Sequence, residues 1–167
     1  MKKLLAVLLV GIVAVSTLVL TACPSQQTYA QIWKAAGVFA DSYLSIYYPN
    51  WSKKAEFDTA WATAYTDIVN WKTGTPCASV VQAVNDAAGL LAQIPVLDSK
   101  QTALMAAIVV SVDTVTSFFQ QCQLPAAVAA APKFSSAVQT AAAKLKPPKN
   151  ANDVKKLWKA AGGPASK

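Results

Sequence analysis

The sequence contains no histidine and no arginine, and it has few glycines and few acidic residues. Without an imidazole, the chain lacks the usual general base of serine and cysteine hydrolases. The absence of histidine and the presence of only three cysteines also remove the common zinc ligand sets. No glycine-rich phosphate loop or dinucleotide fingerprint occurs. The sequence therefore predicts a protein that is not an enzyme and that uses no metal or cofactor.

The first 22 residues have the order of parts found in an export signal. Lys2 and Lys3 form a positive segment, residues 4–20 form an uncharged apolar run, and the small residue Ala22 precedes Cys23. The tetrapeptide of residues 20–23, Leu-Thr-Ala-Cys, resembles the lipobox of bacterial lipoproteins at all four positions. This resemblance implies removal of residues 1–22, acylation of Cys23 and a permanent membrane anchor.

Two other interpretations of the N-terminus stay open. Residues 4–22 have nearly the length of an uncleaved transmembrane helix, and ordinary signal peptidase would leave Cys23 as a free thiol. All three interpretations place the rest of the chain outside the cytoplasm. Pro24 stands where inner-membrane lipoproteins of one sorting system carry aspartate, so the resemblance implies an outer-membrane protein that faces the periplasm.

The exported residues predict an all-α fold. They are rich in alanine and poor in glycine, and the prolines fall mostly between runs of helical periodicity. We predict a tether at 23–28, a small antiparallel bundle of four main helices within 29–146, and a lysine-rich tail at 147–167 that carries a short amphipathic helix.

Apolar spacings of three and four residues place the four main helices near 29–48, 52–70, 76–94 and 99–121. Thr75 is the predicted N-cap of the third helix, and Asp98 with Gln101 resembles a capping box for the fourth. Polar residues interrupt the fourth segment too early for a membrane span, so we expect a buried central helix. A weaker fifth helix is expected over 126–131 and 135–145, broken at Pro132, and Asn152 is the predicted cap of the tail helix.

Two cysteines remain if Cys23 is acylated. Cys77 and Cys122 then lie in an oxidising compartment, where a disulfide is the simplest prediction. A bridge that closes a loop of this size contributes about 4 kcal/mol in the chain-entropy description. The alternative is a pair of buried free thiols.

The C-terminal residues 133–167 are strongly basic, with eight lysines and Asp153 as the single acid. This charge favours contact with anionic lipid, with peptidoglycan or with another envelope protein. The alternative is that the lysines only keep an alanine-rich chain soluble. Nucleic acid is excluded as a partner by the export signal and by the absence of arginine. The candidate contacts in the tail helix are Lys155, Lys156, Trp158 and Lys159.

Most of the aromatic residues lie between 29 and 71. Their helical spacing is typical of a core between two helices. A functional alternative is that Tyr47, Tyr48 and Trp51, beside the turn at 49–50, project as a contact with a membrane or a partner.

Two functions are compatible with these features. The first is a lipid-anchored, non-enzymatic envelope protein that acts as a scaffold or an interaction module. The second is a helical carrier that sequesters an apolar ligand. A carrier requires a connected cavity of about 300 Å³ or more, whereas a scaffold requires an interior filled by side chains.

Overall fold

The computed structural model describes residues 25–121 and 132–165, and all regular secondary structure within these ranges is helical. The prediction of an all-α fold is confirmed. The six helices in chain order are α1 (Gln26–Tyr47), α2 (Lys54–Asn70), α3 (Ala78–Leu91), α4 (Ser99–Gln120), α5 (Ser136–Ala142) and α6 (Ala151–Ala160).

The first helix begins earlier than its apolar pattern indicates. Ser25 is the N-cap of α1, and residues 26–28 are already helical, so the predicted tether at 23–28 is too long. The chain between Cys23 and the first helical residue, Gln26, is therefore only two residues long. The helix ends at Tyr47, two residues before Pro49. This end is expected because proline cannot continue a helix.

The turn between α2 and α3 differs from the prediction. Thr75 does not cap α3, because its hydroxyl donates to the Lys72 carbonyl at 2.6 Å and closes a turn instead. Gly74 has φ of 88°, a conformation that glycine adopts without strain. The helix begins at Ala78 with Cys77 in the N-cap position.

The start of α4 confirms the predicted capping box in its main contact. The carboxylate of Asp98 accepts a hydrogen bond from the Gln101 amide at 2.7 Å. The Gln101 side chain reaches back to the amide of Leu97, at 2.8 Å, and so satisfies a second backbone donor. These contacts fix the point at which α4 begins.

The fourth helix is the centre of the fold. All residues from 104 to 112 are buried, and α4 contacts α1, α3, α5 and α6. By length and composition alone, α4 is the one helix among the described residues that could cross a membrane. Its burial against four other helices is the arrangement of a core helix, as the sequence predicts.

The remaining contacts place the helices around α4. The first helix contacts α2, α4 and α6, and α3 contacts α2 and α4. Most of the buried apolar side chains of α1 to α4, together with Val138 of α5 and Val154 and Trp158 of α6, belong to one core cluster. The tail helix is therefore packed on the same core as the main helices.

Asn150, and not Asn152, caps the tail helix. The side-chain oxygen of Asn150 accepts hydrogen bonds from the amides of Asn152 and Asp153, at 2.9 and 3.1 Å. Asn152 already belongs to the first turn of the helix. Ser135 caps α5 through the Val138 amide at 3.4 Å, and the predicted segment 126–131 lies outside the described residues.

Candidate functional site

One end of the fold gathers the start of α1 with the ends of α2 and α4. The amide nitrogen of the Gln26 side chain donates to the carbonyl oxygens of Ile68 and Val69. The ring of Tyr29 stacks on Phe118, with centroids 3.9 Å apart and planes 15° apart. We call this region, with residues 69–77, the Gln26 end. Its contacts hold the first turn of α1 firmly against two other helices.

Trp71 extends the aromatic group of the Gln26 end. Its ring makes edge contacts with Phe118 and Phe119, at centroid distances of 6.1 and 5.3 Å. Its indole N–H donates to the Thr75 carbonyl at 3.1 Å. The indole is partly exposed, residues 72–76 are exposed, and the Val69 side chain is 47 % exposed. This end therefore presents an amphipathic aromatic ring, an apolar side chain and one lysine, Lys72, to its surroundings.

Cys77 also lies at the Gln26 end. The residue is 1 % exposed, and its sulfur lies 3.0 Å from the Phe119 carbonyl oxygen. Cys122, three residues after Phe119, and Cys23 lie outside the described residues. Lipidation of Cys23 and the disulfide between Cys77 and Cys122 therefore remain predictions.

The opposite end contains the aromatic residues that the sequence suggests as an exposed contact. Tyr47, Tyr48 and Trp51 are half-buried and pack on the core cluster. The hydroxyl of Tyr48 donates to the Pro95 carbonyl. We call this region, residues 46–51 with residues 95–98, the Tyr48 end. Its aromatic rings lie against the protein and do not project from it, and only part of each ring is available to a partner.

Tyr43, beneath these rings, has a buried hydroxyl without a hydrogen-bond partner among the described residues. The residue is fully buried, and its ring lies 5.0 and 6.1 Å from the rings of Tyr47 and Tyr48. Burial, followed by the charges of Tyr48, Tyr47 and Asp98, raises the pKa of Tyr43 above its ordinary value.

We expect Tyr43→Phe to stabilise the protein by about 1 kcal/mol, because it removes an unpaired buried hydroxyl. Tyr48→Phe is the matched control, since it deletes a hydroxyl that has a partner, and it should cost about 1 kcal/mol. Urea unfolding of both variants at pH 7 measures the difference. Equal changes in the free energy of unfolding would contradict an unpaired hydroxyl on Tyr43 and a hydrogen-bonded hydroxyl on Tyr48.

The same tyrosine predicts a pH dependence. An unfolded tyrosine ionises near pH 10, whereas the folded Tyr43 keeps its proton to higher pH. The free energy of unfolding therefore does not depend on the titration of Tyr43 below about pH 10, and this titration lowers it as the pH rises further. Tyr43→Phe should lose less stability between pH 10 and 11 than the wild type.

The tail helix turns its lysines outward and its tryptophan inward. Lys155, Lys156 and Lys159 are exposed, as the sequence predicts. Trp158, proposed with them as a surface contact, is 2 % exposed, and that assignment is wrong. Its ring stacks on Phe39 at a centroid distance of 4.9 Å, because the apolar face of α6 is the face that docks on α1 and α4.

Trp158 has two further close neighbours. Its indole N–H donates to the Pro164 carbonyl at 2.9 Å. A side chain added at Gly163 would place its Cβ 2.2 Å from the indole, so the glycine is needed for this close approach. The ammonium group of Lys156 lies 3.3 Å from the Asp153 carboxylate, and Lys155 and Lys159 are exposed on the same helix.

A groove between α1 and α2 has no counterpart in the sequence predictions. Its floor is Trp61, and its volume is about 260 Å³. The rings of Trp33 and Trp61 stack at 4.0 Å, and each indole N–H donates to the backbone carbonyl of the other residue, at 3.1 and 3.3 Å. Gly37 lies directly over Trp61. Helical spacing indicates that the two tryptophans face the core, but it contains no signal for the reciprocal hydrogen bonds.

Lys54 links the same two helices beside the groove. Its ammonium group lies 2.7 Å from both Asp41 of α1 and Asp58 of α2. Burial lowers the pKa of Lys54, but the hydrogen bonds to the two carboxylates outweigh this effect and the pKa is raised. Asp58 is thus engaged in an ion pair.

Four clefts lined by the described residues are partly open to solvent. They have volumes between about 260 and 530 Å³, and they lie between α1 and α2, on α2, beside α6 and beside α5. Within residues 25–121 and 132–165, no group of three acidic, histidine or cysteine side chains is placed to hold a metal ion. None of these four clefts is a closed cavity.

Comparisons with protein-family models, with curated proteins and with solved structures each gave no match.

Proposed function

We propose that this protein is a lipid-anchored, non-enzymatic component of the cell envelope that acts as a scaffold or an interaction module. The observation that carries the proposal is the tetrapeptide of residues 20–23, which ends in Cys23 after a charged segment and an apolar run. The start of α1 at Gln26 supports it, because the folded body begins immediately after the residue that would be acylated.

The proposed body is an antiparallel four-helix bundle of α1 to α4. Three contacts along α1 support this arrangement: Gln26 meets Ile68, Trp33 meets Trp61, and Asp41 meets Lys54. Residue numbers rise along α1 while they fall along α2, as they do for neighbouring antiparallel helices. The same order holds for α4: Tyr29, near the start of α1, contacts Phe118 near the end of α4, and Tyr48, just after α1, contacts Pro95, which precedes α4.

The bundle includes a disulfide between Cys77 and Cys122 in this proposal. Burial of Cys77 and the 3.0 Å approach of its sulfur to the Phe119 carbonyl support it, because Phe119 is only three residues from Cys122. The bridge would hold the beginning of α3 to the chain that follows α4. An oxidising periplasm, beneath the outer membrane, is the compartment in which such a bond persists.

A scaffold is favoured over a carrier of apolar ligands. Residues 104–112 are all buried, and the clefts beside α5 and α6 are partly open to solvent and not closed cavities. The exposed lysines of α6 favour a partner of negative charge, such as anionic lipid, peptidoglycan or an acidic envelope protein.

Intact-mass spectrometry of the native membrane fraction tests the anchor. We expect the wild-type chain to begin at Cys23 and to carry acyl groups, and the Cys23→Ala variant to carry none. Ser25→Ala is the matched control, because it changes the N-cap of α1 and leaves the lipobox intact. Comparison of masses before and after reduction and alkylation reports whether Cys77 and Cys122 are paired.

An unmodified Cys23 at the start of the mature wild-type chain would contradict the anchor, as would an intact leader. Carbonate extraction gives a second readout, since an acylated protein stays with the membrane at high pH. Cys23→Ala, once its leader is removed, should move to the soluble fraction.

A further inference from the structure

We propose that the Gln26 end is the face of the protein that rests on the lipid bilayer, with Trp71 and Lys72 at the level of the headgroups. This inference depends on the proposed acylation of Cys23. It adds an orientation to the anchor: it states which surface of the body meets lipid and which surface is left for partners.

The short link from Cys23 to α1 restricts where the body can lie. Three residue steps separate Cys23 from Gln26, so their Cα atoms are at most about 11 Å apart. The start of α1 is itself held by the hydrogen bonds of Gln26 to α2 and by the stack of Tyr29 on Phe118. A lipid anchor at Cys23 therefore holds the whole Gln26 end close to the membrane surface.

The opposite end lies much farther from the anchor. A helix of 22 residues, the length of α1, is about 33 Å long. Phe39, on which Trp158 stacks, lies about 20 Å along α1 from Gln26. The Tyr48 end is thus remote from the anchor, and Trp158 of α6 contacts α1 about 20 Å from Gln26.

The chemistry of the Gln26 end suits a bilayer surface. Trp71 has a partly exposed amphipathic ring, and tryptophan is enriched where membrane meets water. The exposed Val69 side chain adds apolar area, and the exposed Lys72 supplies a cation on a flexible stem. Residues 71–76 contain no acidic residue, and Asp67 lies one turn earlier on α2.

This orientation reassigns the candidate membrane contacts. Tyr47, Tyr48 and Trp51 lie at the end that points away from the bilayer in this orientation, so their exposed parts do not contact the anchoring lipid. Lys155 and Lys159 are exposed on α6, whose Trp158 stacks on Phe39 about 20 Å along α1 from Gln26, so in this orientation they lie away from the leaflet that holds Cys23. Their negatively charged partner then belongs to the periplasmic space, such as peptidoglycan or an acidic protein.

Tryptophan quenching by brominated lipid tests the orientation. The full-length acylated protein is reconstituted in vesicles of phosphatidylethanolamine and phosphatidylglycerol, with and without bromine on the acyl chains. We expect quenching in the wild type, loss of most of it in Trp71→Phe, and full retention in the matched variant Trp51→Phe. Trp51 belongs to the Tyr48 end and is partly exposed like Trp71.

Added tryptophans provide a second test that does not depend on removing Trp71. Thr73→Trp and Leu97→Trp each place an indole in an exposed loop, one at each end of the body. We expect added quenching for Thr73→Trp and none for Leu97→Trp. The opposite pattern in either pair, or no quenching in a protein shown to be acylated, would overturn the orientation.

The mass of each sample shows whether Cys23 is acylated, so failure of the proposed orientation can be distinguished from failure of the proposed anchor. A protein without acyl groups would contradict the anchor itself, whatever its fluorescence. A protein with acyl groups whose Trp71 is not quenched would leave the anchor intact and contradict only the orientation.

Discussion

Replacing Gly37 by alanine is expected to lower the free energy of unfolding by about 2–3 kcal/mol, although alanine is the better helix former. A Cβ atom at residue 37 would lie 2.3 Å from the indole nitrogen of Trp61 and 2.9 Å from its Cδ1. Both distances are far below van der Waals contact. The indole of Trp61 must therefore move before the variant can fold.

Movement of Trp61 is costly because its ring is held on two sides. The ring stacks on Trp33, and the reciprocal hydrogen bonds tie each indole to the backbone of the opposite helix. Trp61 is only 8 % exposed, although it forms the floor of the groove between α1 and α2. A ring that swings outward loses the stack, its hydrogen bond and part of its burial together.

Gly89→Ala is the matched control for this prediction. Gly89 lies in α3, and a Cβ atom there would meet no other atom within 4 Å. Alanine should therefore stabilise the protein by about 0.5–1 kcal/mol through helix propensity alone. Urea unfolding followed by circular dichroism compares the two variants. Equal stabilisation by both would show that Trp61 has room to move.

Much of the helical organisation could be predicted because local chemistry determines it. The contact of Asp98 with Gln101 joins residues three apart, and the proline at 49 stops α1 wherever the rest of the chain lies. The burial of residues 104–112 of α4 follows from a long run of apolar residues. These features need no knowledge of the neighbouring helices.

Helix starts were harder to predict where polar residues supply no periodic signal. Residues 25–28 are Ser, Gln, Gln and Thr, so the apolar pattern begins only at Tyr29. The structure extends α1 to Gln26 because its side chain finds two carbonyl groups at the end of α2. That partner lies more than 40 residues away in sequence, and local rules do not reveal it.

The surface formed by α6 is predictable only in part, because the residues that it packs on are also distant in sequence. The exposure of the α6 lysines is predicted correctly, but Trp158 is wrongly grouped with them, because helical spacing cannot say what the apolar face of α6 docks on. Phe39 and the close approach of Gly163 supply that surface and bury Trp158. The role of Gly37 was equally hidden, because a glycine within a helix gives no indication of the ring above it.

The second large effect is expected at Trp158. Trp158→Ala removes a buried indole that stacks on Phe39 and donates to the Pro164 carbonyl, and such truncations cost about 3–5 kcal/mol. A helix of 10 residues is not stable by itself in water. We therefore expect α6 to detach and unfold while α1 to α4 stay folded. Hydrogen exchange should show the loss of protection confined to residues 150–163.

Two control variants distinguish the packing of Trp158 on Phe39 from the charge of the α6 lysines as the cause of protection. Trp158→Phe keeps a ring on Phe39 and loses only the indole N–H, so it should retain most of the protection of α6. Lys155→Ala removes an exposed charge and should leave exchange unchanged. If Trp158→Ala leaves α6 protected, then Val154 and the turn at Gly162 hold the helix without the indole. If it instead unfolds the whole protein, α6 is an inseparable part of the core, and its lysines are displayed on a fixed surface.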